Sequence, residues 1–288
     1  MTGALRVSRV PRMALATVAA VALAALCLLA EETPGTTSGY LAKINNTTNT
    51  AATAQYFSCT SAEASDKANA YFQYYLDQAS ASAAAPDSSN ATNTGTYQGS
   101  MTTSTATPIA CSRDANGAYL LNGTTSFVST LKQYVNPTTF SEEVWFKTTV
   151  AAGKLIGFGN AQLGSSSQYD RHLYLETTGK LDFGTYNGGL QLVTTPGTVT
   201  DGKWHHAVGT MSPATGMKLY LDGALVASNA AYVTPENTTG YWRVGYDNTN
   251  GWRNNGSVYF FSGQMRYAAA YSVVLTAAQI GDHWAAGE

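Results

Sequence analysis

Residues 201–228, DGKWHHAVGTMSPATGMKLYLDGALVAS, constrain the fold of this chain more than any other stretch. Two runs of apolar residues, 217–221 and 224–229, flank Asp222-Gly223. Asp-Gly between alternating runs is the favoured type I′ turn pair, because both central residues need positive φ. A two-residue turn sets the register, so Leu221 is expected opposite Ala224, Leu219 opposite Val226 and Met217 opposite Ser228. That face is mostly apolar and must cover a core, while Lys218 and Tyr220 on the other face are expected to meet water.

Further short runs with turn residues between them lie at 118–121, 126–129, 139–148, 154–159, 172–176, 180–186, 191–194, 204–211, 241–246 and 260–271. Many short strands at this spacing argue for an all-β sandwich and against alternating βαβ units. One helix is expected near the end. Thr276-Ala277-Ala278-Gln279 is a capping-box pattern, and Ile280 and Trp284 share a face that can dock on the sandwich.

Three blocks carry a resemblance to a known family. They are D-G-K-W-H-H with the hairpin after it, the opening run 70–77 with Asp87-Ser88-Ser89-Asn90 and Gly95-Thr96-Tyr97, and the ending 271–280. Together they resemble the concanavalin A-like, laminin G jelly-roll family. The turn glycine of the opening is replaced by Asn90, which tolerates the left-handed conformation next best. Arg266 and Tyr267 stand where the family has an acidic pair. The resemblance implies a jelly-roll β-sandwich with a short C-terminal helix over 70–288, whose relatives mostly bind glycans or proteins and often hold calcium near the ligand.

Ahead of it, Arg6, Arg9 and Arg12 precede an apolar run over 13–30. Residues 1–30 read as a signal peptide or an uncleaved membrane anchor, either of which exports the rest of the chain. The leader resembles those of exported actinobacterial proteins. Residues 31–69, polar and rich in Thr, Ala and Asn, read as a stalk with a possible edge strand. Cys27 lies in the leader, leaving Cys59 and Cys111 as an expected disulfide in an oxidising compartment, with two free thiols as the alternative. Charged residues make up only 12% of the chain and the net charge is −2, so there is no electrostatic footprint for nucleic acid.

The chain shows no G-x-S-x-G, H-E-x-x-H or C-x-x-C motif. Glu142 and Glu143 are adjacent, so on a strand they point to opposite faces and cannot flank one glycosidic bond. His205 and His206 are divided between faces in the same way. The expected role is therefore non-catalytic. Sugar binding needs an aromatic face and planar hydrogen-bonding groups. Residues 241–255 offer these in Tyr246, Asp247, Asn248, Asn250, Trp252 and Arg253, with Trp252 expected at the surface or folded over the sandwich mouth. Asp170 and His172 are read as a polar rim or, alternatively, Asp170 pairs with Arg171 to order the start of a strand. Asp247 and Asn250 are weak candidates for calcium, which takes six to eight oxygens. The expected partner is a glycan or cell-surface polysaccharide, with a protein-contact module as the alternative and a glycoside hydrolase as a third reading. Membrane contact is expected only through residues 13–30.

Overall fold

A computed structural model describes residues 42–45, 50–53 and 55–288. The expected leader and anchor lie outside the described residues. Among those described, no helix is long and apolar enough to cross a membrane. Strands Ala42–Asn45 and Thr50–Thr53 pair as a separate antiparallel ladder.

The body is a sandwich of two antiparallel sheets. The first sheet runs in the order Ala224–Asn229, Gly216–Leu221, Trp204–Ser212, Phe140–Lys147, Ser262–Tyr271, Ala118–Asn122, Thr103–Ser104, with Ala70–Tyr74 also paired to Ser262–Tyr271. The second runs Leu190–Thr194, Leu181–Tyr186, Tyr169–Leu175, Gly153–Gly159, Thr239–Val244, Phe127–Ser129, Gly95–Gln98, Ala84–Ala85. Between them lies one core, to which the first sheet gives Phe140, Val144, Phe146, Met211 and Leu219, and the second Leu155, Phe158, Leu173, Phe183 and Trp242. The period of two places their odd neighbours on the outer faces.

The hairpin forms where the sequence places it. Asp222 and Gly223 both have positive φ, 53° and 76°, and Leu221 pairs with Ala224. Beyond that the register differs from expectation. A β-bulge leaves Val226 unpaired, so Leu219 faces Ala227 and Met217 faces Asn229. A bulge adds a residue to one strand and slips everything after it by one.

The outer face of the first sheet does not meet water as Tyr220 was expected to. Two helices cover it: α1 (Cys59–Asp66) and α2 (Ala277–Gly287). Both begin with capping boxes, at Ser58/Ser61 and at the expected Thr276/Gln279. Tyr220 packs with Val208, Tyr271 and Ile280 under α2. Trp284 stacks on Trp145, ring centroids 5.2 Å apart and 15° from parallel. α1 and the 3-10 turn Lys67–Asn69 thus occupy the end of the stretch read as a stalk over 31–69. Cys59 and Cys111 form the expected disulfide and tie α1 to the loop before Ala118–Asn122. Arg266, fully buried, donates to the carbonyls of Ala110, Cys111 and Ala115 and so holds that loop. In the opening turn the left-handed residue is Thr92, not Asn90. Asp87 organises it by accepting from the amides of Gln73, Ser89 and Asn93.

Candidate functional site

Residues 245–259 leave strand Thr239–Val244 and cross the outer face of the second sheet. Gly184 makes the crossing close: a Cβ there would lie 2.4 Å from Trp252 Cζ3. Trp252 fills that gap. Its ring meets His172 edge to face, centroids 4.0 Å apart, and is 5% exposed. The expectation of a surface indole is thereby corrected to the folded-over one, because burying a large aromatic over a glycine removes apolar area from water.

Beneath it, His172 is fully buried and neither ring nitrogen has a hydrogen-bond partner. Burial, with Lys154 nearby, pushes its pKa well below the ordinary histidine value. It cannot form a polar rim. Asp247 is also turned inward. It accepts from Ser166 N at 3.0 Å and Ser166 Oγ at 2.8 Å, and lies 3.4 Å from Arg243. With both its oxygens engaged and Asn250 exposed at the rim, the pair does not fit the oxygen cage calcium needs. Tyr246 stacks on Phe260 at 3.7 Å and shares a hydrogen bond with Ser165 Oγ. Asn248 is half-buried, donating to Ser166 O and accepting from Asn250 N. Arg253 reaches Glu176 Oε1 at 2.9 Å and Asp182 Oδ1 at 2.7 Å, which fastens the loop to the sheet.

Asp170 pairs with Arg171, fully buried, as in the alternative reading. It also accepts from the amides of Tyr186 and Glu236. Arg171 in turn donates to the carbonyls of Pro137 and Glu236 and to Asn136 Oδ1. This buried network sets the position of two residues that the sequence did not single out, Tyr186 and Glu236.

Those two help to line a cleft of about 240 Å³, together with Gln168, Tyr169, Leu190, Asn250 and Trp252. Tyr186 is 37% exposed. Tyr169 donates to Asn250 O at 2.7 Å, and Gln168 donates to Glu236 Oε1 at 3.1 Å. Two tyrosine rings, one carboxylate and two amides thus converge on one opening. Of the candidates read from sequence, Asn250 and Trp252 reach it directly, and Asp170 supports it from behind. Tyr246, Asp247, Asn248, Arg253 and His172 are structural partners of the loop.

A sequence profile described as the concanavalin A-like lectin/glucanases superfamily matches residues 122–281, over half of the chain. The chain belongs to this superfamily. A search of curated proteins finds no match. Among solved structures, this lectin/glucanase sandwich is similar to the binding domain of Paraclostridial Mosquitocidal Protein 1, at 12% identity and a TM-score of 0.52, covering 76% of this chain and 52% of that one. It is also similar to the receptor binding domain of the botulinum neurotoxin C/D mosaic serotype, at 14% identity and 0.50, covering 75% and 51%. Domain 4 of AbnA, a GH43 extracellular arabinanase from Geobacillus stearothermophilus in complex with arabinotriose, aligns at 17% identity and 0.48, covering 75% and 98%. At these identities the likeness is one of fold.

The cleft lies on the outer face of the second sheet, beside the loop that follows Thr239–Val244. Tyr186 and Glu236 lie on separate segments some fifty residues apart in sequence. No spacing signal links them. The one clue was Tyr169-Asp170-Arg171-His172, whose Tyr169 stands at the rim while Asp170 and Arg171 are buried behind it.

Proposed function

We propose that the protein is an exported, non-catalytic module that binds carbohydrate in the cleft between Tyr169, Tyr186 and the Trp252 loop. The observation that carries this reading is the convergence of two partly exposed tyrosine rings with Glu236, Gln168 and Asn250. An aromatic face takes the apolar side of a sugar ring, and the carboxylate and amides take its hydroxyls. The cleft's 240 Å³ is below the roughly 300–1,000 Å³ of drug-sized sites, which suits a single sugar ring or a chain end. Millimolar affinity needs only about −4 kcal/mol.

The superfamily's name spans lectins and glucanases, so the choice rests on the cleft. Hydrolysis of a glycosidic bond ordinarily takes two carboxyl groups about 5–10 Å apart. Glu236 is the one carboxylate among the described residues that line it. Export is supported by the Cys59–Cys111 disulfide, since such bonds persist in oxidising compartments.

A glycan array tests this, with wild type beside Tyr186→Ala and Glu236→Gln. Binding by the wild type that falls at least about tenfold in both variants is the expected result, the loss of roughly 1.4 kcal/mol. Wild-type binding that neither substitution weakens would remove the site from this cleft.

A second reading, a protein-contact module, is favoured by a different surface. A groove of about 570 Å³ beside α2 is lined by Trp204, Trp284, Trp145, Pro108 and Ile109. Failure to bind any glycan would shift the assignment to this groove.

A further inference from the structure

Under α1 and α2 the molecule buries a second polar cluster, on the opposite sheet from the cleft. Glu143 projects into it from Phe140–Lys147, Glu63 and Asp66 from α1, His283 from α2 and His206 from Trp204–Ser212. His283 is bracketed: Nδ1 is 3.0 Å from Glu143 Oε1 and Nε2 is 3.1 Å from Asp66 Oδ2. His206 Nε2 is 2.9 Å from the same Glu143 oxygen. Glu63 Oε2 accepts from Tyr271 at 2.6 Å. All five side chains are buried. One ligand atom each from Glu63, Glu143 and His283 lie within 4.8 Å of one another.

Three carboxyl groups and two imidazoles removed from water need compensating positive charge. Without an ion, protons supply it. Although burial alone would lower the His283 pKa, the carboxylates of Glu143 and Asp66 raise it well above the ordinary value. Burial and the Glu143 charge raise that of Glu63. A single dication could replace these two protons and leave the charge of the cluster unchanged. His206, fully buried, donates from Nε2 to Glu143 Oε1 and so orients that carboxylate.

We propose that Glu63, Glu143 and His283 bind one divalent transition-metal ion of the zinc type, which clamps both helices to the sandwich. One nitrogen and two carboxylate oxygens suit tetrahedral zinc with a water in the fourth position, its ligand atoms about 3.4 Å apart at bond lengths of about 2.0–2.2 Å; calcium would demand more oxygens. The outer shell is already in place. His283 Nε2 meets Asp66, which is itself bonded to Gln279, and Tyr271 orients Glu63. Such partners fix ligand orientation in metal sites. Binding releases the Glu63 proton and one proton from His283, leaving Nε2–H on Asp66. Cys59 and Cys111 are joined to each other and take no part.

The test uses the full chain, stripped with chelator under denaturant and refolded with zinc chloride, with cobalt(II) chloride or without metal. The expected result is one zinc retained per chain after desalting, a higher thermal midpoint with zinc, and the intense visible bands of tetrahedral cobalt(II). Glu63→Gln keeps the size of the side chain and an acceptor for Tyr271, so it should fold with an unchanged far-UV spectrum and lose at least about tenfold in zinc affinity. His205→Ala, which disrupts the accessible His205–Asp201–Asp222 group, should retain the ion. Folded wild type that holds no metal, a pale six-coordinate cobalt spectrum, undiminished affinity in Glu63→Gln, or loss of the ion in His205→Ala would each overturn the proposal. None of these outcomes depends on carbohydrate binding.

Discussion

Lys154 shows what burial does to a single residue in this fold. It lies wholly out of water on Gly153–Gly159, its ammonium 5.6 Å above the Tyr169 ring and without a hydrogen-bond partner. Burial lowers its pKa to about 8, with Asp247 opposing the shift. The folded value is below the unfolded 10.5, so the native state binds fewer protons between them. Stability attributable to this residue therefore rises as pH rises from 8 to 10.5. Lys154→Met, of similar length and apolar, should raise the urea midpoint. The gain should be larger at pH 7 than at pH 10; equal gains at both would contradict a charged, desolvated amine. At this scale the sequence was legible where chemistry is local. Asp222-Gly223 turns because two left-handed residues are needed in succession, and Thr276 caps because Gln279 follows at the right interval. The directions of Trp252 and Asp247 were not legible, since they depend on Gly184 and Ser166, far away in sequence.

At the scale of elements, α1 is the telling case. Its first residue is in the disulfide, Thr60 donates to Asp114 in the loop that the disulfide joins, and its other described contacts are to α2 and the sheet. The bond closes a loop with a sequence separation of 52 residues, worth about 4 kcal/mol in the chain-entropy model. Replacing both cysteines by serine should therefore lower unfolding free energy by about that amount. Amide exchange should speed up first in α1 while the sheets stay protected. Uniform loss of protection would show instead that α1 and the sandwich open together. Most of the longer strands were readable from short apolar runs between turn residues, within about three residues of their ends, whereas the two-residue strands Ala84–Ala85, Thr103–Ser104 and Tyr134–Val135 carried no such signal. α1 was not, because Cys-Thr-Ser-Ala-Glu-Ala-Ser-Asp lacks a strong apolar stripe. Its helical state comes from the Ser58 cap and from what it covers. The bulge at Val226 was equally hidden, since alternation alone does not distinguish an in-register hairpin from one slipped by a residue.

For the whole molecule, covering the outer faces matters as much as the core between the sheets. A chain beginning at Ala70 would retain every strand of the sandwich and lose α1. That exposes one side of Glu143, His283 and Tyr271 and leaves Cys111 unpaired. It should bind a hydrophobic dye and unfold at lower temperature than a chain beginning at Gln55; matching melting curves would mean that α1 adds nothing to the fold. The sequence by itself determined the all-β sandwich, most of its longer strands, the one pair of cysteines available for a disulfide and the final helix. Those follow from short-range periodicity, turn chemistry and the count of cysteines. Only the tertiary structure decided which polar residues face water. His172 and Asp247 read as binding residues and became interior, Asp170 took its alternative place beside Arg171, and Tyr186 and Glu236 came together at the cleft. The physical reason is that strand alternation specifies two faces but not what lies over them. Here a loop seals one outer face and two helices seal the other.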